Sequence, residues 1–502
     1  MNTEYDFIII GSGLGGLVCG YILAKNGYKI AIVEKNSQIG GCLQTFKRKG
    51  IKFDTGMHYI GSMQPGQVLH ALFNYLNLLS DVKLSPLDPD GFDTISFRGD
   101  IYKFANGYTH FTDTLSEKFP HNRKDIEAYI HHIKKISASS PLYNGDEAEN
   151  NNFMETEYIK TSINDYIASI TQNPLLQNVL AGNMPLYAGV KDKTPMYIHA
   201  LVTNFYIQSA YRIVGGSDTI ASSLANSITS LGGQIFTQHH VEQILCDDKK
   251  ATTIVLKNGN IMRGKAFISD IHPEATMNIL NTPLIRRIYK ERIRNLQNTI
   301  SNFTVYIKFK PNTVPYLNTN FYYYDHDNVW QANAYNKDKW PESYLFMHQC
   351  HQENPTYAES AELIGYMHFD EVKKWENTTI QQRGEAYLEF KKEKSQLLLK
   401  KLEESFPGIN QQIEFYESSS PLTYRDYTGT KEGSMYGIIR DKNFPVQTLV
   451  SQRTKIPNLL LTGQNINSHG ILGVIVGALI TCSEFLGISK LINDIKECNN
   501  VL

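Results

Sequence analysis

Cysteine is scarce and scattered: six in 502 residues, at positions 19, 42, 246, 350, 482 and 498, with no C-x-x-C and no zinc-ligand spacing. That pattern excludes a disulfide framework and leads to the expectation of a reducing, cytoplasmic setting. A surplus of charge is missing as well. Forty-nine lysines and arginines stand against 50 acidic residues, a formal net charge of −1, so no general attraction to nucleic acid or to an anionic membrane follows. Long hydrophobic runs are absent; the longest, such as Gly470 to Ile480, stop short of the about 20 apolar residues a spanning helix needs. No basic leader with a cleavage site precedes the first strand-like stretch, and there is no internal repeat or low-complexity tract. What remains is ordinary globular composition, 41% apolar and 20% charged, in a chain too long for one compact core.

The first thirty residues carry the clearest pattern. Tyr5 to Ile10 is a short apolar run of the kind found in strands covered on both faces. Gly11-Ser12-Gly13-Leu14-Gly15-Gly16 follows, then a helical stretch to Ala24 that stops at Asn26-Gly27. A second apolar strand, Tyr28 to Val33, closes on Glu34. Strand, glycine loop, helix, strand and acid make a βαβ unit built for a dinucleotide. Gly11 permits the tight turn, Gly13 lets backbone N–H groups approach a pyrophosphate, and Gly16 lets the helix pack closely on the sheet. Glu34 stands where a carboxylate accepts hydrogen bonds from a ribose. Further glycines at Gly40-Gly41 and Gly56 suit a second backbone approach to an extended ligand, or two ordinary turns.

Comparable signals return twice. Ser217 to Leu231 reads as a helix, followed by strands at Gln234–Thr237, Val241–Leu245 and Thr252–Leu256, with Asn258-Gly259 as a hairpin turn. Asn458 to Thr462 reads as a strand before a glycine-punctuated loop and a helix near Gly473 to Phe485. Between these blocks the texture changes. A hairpin is expected around Arg98-Gly99-Asp100, and Ile126, Tyr129, Ile130, Ile133 and Ile136 share one helix face. Residues 300–370 read as antiparallel strands, 380–405 as a charged helix, and 144–157 as a polar, acidic, mobile loop. The expected fold is α/β: a discontinuous Rossmann-like domain from 1–75, 205–285 and 420–502, with an α+β substrate domain of antiparallel sheet plus helices inserted as 76–204 and 286–419.

The glycine loop, Glu34, Gly40-Gly41-Cys42 and Phe53-Asp54-Thr55-Gly56-Met57-His58-Tyr59-Ile60-Gly61 together resemble the FAD signature of the carotenoid and retinoid oxidoreductases. Within that family, Gly-Gly-Cys and the His58-Tyr59-Ile60-Gly61 run are similar to the retinol-saturase branch; phytoene desaturases usually have arginine in place of Cys42. The resemblance continues through Tyr211–Ser217, Val241, Ser418–Tyr436 and Gly463-Gln464 with Gly470–Val474. It implies FAD as cofactor, with pyrophosphate at Gly11–Gly16, and ribose at Glu34 and its neighbour Lys35. It also implies adenine contact at Val241, and isoalloxazine near Gly56, Met57 and His58, over the Gly463–Gln464 and Leu472-Gly473-Val474 backbone.

The implied activity is hydride transfer to a C=C bond in a polyene or isoprenoid lipid. The redox direction, the electron donor and the exact lipid stay open, and so do desaturase, isomerase and amine-oxidase-like readings. A lipid-escort protein on the same scaffold is the alternative outside enzymology. Saturation needs a proton donor; His58 and Tyr59 are the first candidates, with Tyr436 and His469 behind them, and each is also readable as a packed or hydrogen-bonded core residue. Cys42 reads as a small buried residue beside the cofactor. Peripheral membrane contact, through the Lys400-Lys401 side of the charged helix, is a further expectation.

Overall fold

The computed structural model describes residues 4–143 and 157–500; the loop expected at 144–157 lies outside them except for Glu157, which opens helix Glu157–Lys160. Strand Glu4–Ile10 is fully apolar from Phe7 onward because both faces are covered. Phe7 and Ile9 face helices Leu14–Lys25, Asp218–Ser230 and Gly470–Leu486, while Tyr5, Ile8 and Ile10 face Ile244, Ile254, Met277 and Ile438. The result is a sheet with a packed layer on each side.

Its parallel strands run in the order Gln234–Phe236, Ile30–Val33, Glu4–Ile10, Ile261–Ser269 and Leu459–Leu461. An antiparallel extension, Val241–Cys246 and Ala251–Leu256, hangs from the first half of Ile261–Ser269. That long strand is the one element of this sheet the sequence pattern does not announce. Its opening residues, Ile261-Met262-Arg263, sit at the sheet margin, and only its second half is a buried apolar run.

A second sheet has seven strands in the order Ile413–Ser419, Ser301–Phe309, Ser360–Met367, Ser343–His348, Asn320–Tyr324, Asp93–Phe97 and Asp100–Phe104. All neighbours are antiparallel except Asn320–Tyr324 with Asp93–Phe97. Helix Arg123–Ala138 packs Ile126, Tyr129, Ile130, Ile133 and Ile136 into the core of this unit. Each such burial contributes about 1.5–3 kcal/mol.

The two cores divide the chain slightly differently from expectation. Leu76, Leu78 and Val82 join the nucleotide-side core, as do Ile293 and Leu296, so the helix Arg287–Arg294 belongs to that side. The C-terminal helix begins at Gly470 and not near Gly473, because His469 is still extended and the helical turn starts directly after it. Helix Glu385–Ser405 starts five residues later than expected, after Gly384.

Candidate dinucleotide and substrate site

Register brings the site together. Ile10 lies opposite both Val33 and Ser269, and Ser269 opposite Leu461, so the carboxyl ends of four strands finish side by side. The residues that follow them, Gly11, Glu34, Asp270 and Thr462-Gly463, therefore share one edge, the usual ligand position in such sheets. The two glycine motifs touch there: a Cβ on Gly15 would lie 2.9 Å from the Gly463 backbone. A Cβ on Gly16 would sit 2.3 Å from the Gly11 carbonyl, so the helix packs onto the loop only with glycine at that position.

Above this edge lies a cavity of about 300 Å³. Gly11, Ser12, Gly13, Leu14 and Gly15 line it at one end, with Glu34, Lys35 and Val241. Gly40, Gly41, Cys42, Gly56, Met57 and His58 follow, and Gly463, Gln464 and Val474 lie across from them. Three of the expected residues do not line it. Gly16 supports the loop from behind, and Leu472 and Gly473 fall inside the first turn of the relocated helix, where Gly470 and Ile471 take the lining positions.

Glu34 is buried, and its Oε2 accepts hydrogen bonds from the Ser12 backbone N–H (3.0 Å) and hydroxyl (2.7 Å). The expected ribose acceptor is thereby fixed against the phosphate loop. Burial pushes the Lys35 ammonium below its ordinary value, opposed by Glu34 and Asp426. Burial raises the Cys42 thiol to about 11, so it is no thiolate at neutral pH. Ser434 Oγ is buried in the lining with no partner among the described residues, which leaves a donor for a ligand.

Asp270 is the residue that sequence reading misses. Its carboxylate sits inside the glycine loop, where a Cβ on Gly13 would lie 2.5 Å from Oδ2 and one on Gly15 2.5 Å from Oδ1. Burial raises its pKa to about 7; the backbone N–H groups of Gly16 and Gly13 oppose the rise, and the Glu34 carboxylate adds to it. No spacing links position 270 to position 13; only the parallel register does.

At the other end, the nucleotide domain meets the inserted sheet. His58 Nδ1 lies 2.9 Å from Glu362 Oε2, and Glu362 is 1% exposed in the middle of strand Ser360–Met367. Gln349 Nε2 donates to the other carboxylate oxygen, and Ser360 Oγ donates to Gln349 Oε1. Burial depresses the His58 imidazolium, but Glu362 and then Asp54 outweigh it, with Arg212 opposing, and the pKa ends above its ordinary value. Asp54 itself rises to about 6, from burial and the charge of Glu362, although Ser217 donates to it.

The two tyrosine candidates are placed differently. Tyr59 lies next to both Asp93 Oδ2 (3.2 Å) and the Tyr322 hydroxyl (2.8 Å) through its own hydroxyl, and burial lifts its pKa well above normal. Tyr436 donates to the Pro185 carbonyl at 3.0 Å, and burial raises it too. Tyr323, Tyr324, Tyr344, Leu345, Ile364 and Tyr366 complete an aromatic wall from the inserted sheet.

Residues 9–76 match the NAD(P)-binding Rossmann-like domain family. The chain as a whole is similar to all-trans-retinol 13,14-reductase of Danio rerio, 24% identical with 96% of this chain and 86% of that protein aligned. The same protein of Homo sapiens is 25% identical, over 99% and 88%. Prolycopene isomerase 2, chloroplastic, of an Oncidium hybrid cultivar is 24% identical over 86% and 75%. Among solved structures, putrescine oxidase bound to putrescine superposes with a TM-score of 0.65 at 14% identity, covering 96% of this chain and 99% of that one. An oxidoreductase from Methanosarcina mazei gives 0.62 at 16%, over 95% and 99%. The fold extends to a Rab GDI from Plasmodium falciparum, with a TM-score of 0.52 at 13% identity, over 97% of this chain and 99% of that one.

Proposed function

We propose that this chain is an FAD-dependent oxidoreductase that saturates a C=C bond of a retinoid-like or carotenoid-like polyene, with His58 as proton donor. The observation that carries the reading is a single cavity joining the glycine loop to the His58–Glu362 pair and an aromatic wall. The site fits the cofactor: it has a cradle that a side chain at Gly13 would fill, an acid at the ribose position, and an unpartnered Ser434 hydroxyl. Gly11 to Gly15 would hold the pyrophosphate, Glu34 the ribose, and Gly56 to His58 with Gly463-Gln464 the ring system. Bound FAD, reduced by an external donor, supplies hydride.

The chain's own residues supply the rest. With Nδ1 committed to Glu362, His58 has Nε2 left to meet a ligand, and the carboxylate holds the ring protonated past the ordinary histidine pKa of about 6.5. An imidazolium there delivers its proton to the carbon that gains no hydride, becomes neutral, and regains a proton from solvent. Tyr59 and Tyr436 are poor donors by comparison, since both hydroxyls are engaged and both are made weaker acids by burial. They position the wall. The aromatic face excludes water and suits a long apolar chain. The test is the cofactor released by denaturing the purified protein: FAD, one per chain, is expected, and NAD or no nucleotide contradicts the reading.

Asp270 makes that binding pH-dependent. Protonated, it is a neutral group in the phosphate loop; as pH rises through about 7 it ionises beside two phosphate charges. Affinity of the apoprotein for FAD, followed by quenching of flavin fluorescence, should therefore fall across that pH, and Asp270→Asn should flatten the profile. A wild-type affinity that is level across neutral pH removes Asp270 from the account.

A further inference from the structure

Three of the four most exposed large apolar side chains among the described residues share one place on the nucleotide side. Ile288 is 74% exposed, Val446 74% and Phe444 53%. They sit on adjoining segments, because Arg292 of helix Arg287–Arg294 donates from Nη1 to the Gln447 carbonyl of the short helix Pro445–Thr448 at 2.8 Å. A third segment closes the patch: the Lys442 N–H donates to the Lys193 carbonyl at 2.7 Å, and Asn443 Nδ2 to the Asp192 carbonyl.

The charge around these side chains is one-sided. From Arg286 to Arg294 the chain carries Arg286, Arg287, Lys290, Arg292 and Arg294 against Glu291 alone. Arg287 pairs with Glu291 yet keeps 91% of its side chain exposed. Lys290 is bonded to the Leu280 carbonyl, and Arg294 faces Glu274 at 4.0 Å. Lys191 and Lys193 flank Asp192 on the far side, and Lys442 faces Asp165 at 3.6 Å. The helix buries Ile293, at 1% exposure, into the core, so it offers one face only and no partner can wrap round it.

We infer that this surface docks the protein on an anionic lipid membrane, with Phe444, Val446 and Ile288 entering the interface and the arginines meeting headgroups. Basic residues alone suit any polyanion, but a nucleic acid gives no reason for three protruding apolar side chains. An amphipathic basic face that lies flat combines both terms, apolar insertion and attraction to anionic headgroups. The Lys400-Lys401 side of the charged helix, the other candidate for this role, does not offer the same surface. Lys401 is engaged by Asp325 at 3.1 Å and Glu404 at 2.9 Å and is only 16% exposed.

The experiment is flotation of the full chain with vesicles of phosphatidylcholine alone or phosphatidylcholine with phosphatidylserine, at low and high salt. Binding only to the anionic vesicles, weakened by salt, is expected. Phe444→Ser with Val446→Ser, and separately Arg286→Glu with Arg287→Glu, should each lower the bound fraction about tenfold or more. All four side chains are exposed, so unchanged melting by circular dichroism is expected in both variants. Equal binding to neutral vesicles, no flotation of the wild type, or flotation unaffected in folded variants overturns the inference. So does a loss of self-association in the apolar variant without change in flotation, which would make the patch an interface between copies. None of these readouts depends on the cofactor or the reaction.

Discussion

Gly13→Val should purify folded but colourless. A Cβ at this position meets only the Asp270 carboxylate, at 2.5 Å, and no backbone atom within 4 Å. The Gly13 backbone has φ −64°, open to any residue, so the substitution introduces no backbone strain. What it removes is the close approach of the loop N–H groups to a pyrophosphate, which no other part of the cavity replaces. Flavin absorbance per chain should drop to background while the melting transition stays cooperative. Gly16→Val is the contrasting control: its Cβ would collide with the Gly11 carbonyl at 2.3 Å, so that variant should lose the fold along with the cofactor. Full flavin content in Gly13→Val would place the phosphate site elsewhere.

The second large effect is expected at His58. His58→Ala should keep its flavin and lose about 10²–10⁴ in turnover, the usual contribution of a positioned proton donor. Glu362→Gln separates donation from packing, because it keeps the shape and removes the charge that holds the imidazolium. The sign is fixed by the direction of the shift. Raised in the wild type, the His58 pKa keeps the donor charged below it, and activity falls as pH rises through it. Without Glu362 burial prevails, the pKa drops, and the falling limb of the pH–rate profile moves to lower pH. Activity in Glu362→Gln should be regained on acidification. A uniform loss at every pH, with normal flavin content, would make Glu362 structural, and unchanged turnover in His58→Ala would remove the residue from the chemistry.

The parts of this molecule that were legible in its sequence are those whose signal is local. The glycine loop, the helix ending at Asn26-Gly27 and the hairpin at Arg98–Asp100 each follow from a few adjacent residues, and the structure has them within a residue or two of those signals. Strand Ile261–Ser269 is not legible in this way, since its first half pairs at the sheet margin and carries Arg263 and Lys265. Asp270 depends wholly on that strand, because its place in the loop follows from the pairing of Ser269 with Ile10. Glu362 did leave a trace. An acid within the otherwise apolar run Ala361 to Met367 is unusual enough in a buried strand to announce a partner, although only the fold names His58 as that partner. The start of the C-terminal helix is not legible in the sequence because glycines at 470, 473 and 477 offer several equivalent starting points, and the extended His469 decides among them.

The most direct measurement is a single turnover. The protein is reduced anaerobically and mixed with all-trans-retinol, or with an open-chain carotenoid, while the flavin absorbance is followed and the lipid is analysed by mass. Reoxidation of the flavin in step with a product that has gained two hydrogens and lost one double bond is the predicted result. A flavin that stays reduced with every polyene, while the oxidised protein instead removes hydrogens from the lipid, would contradict the account.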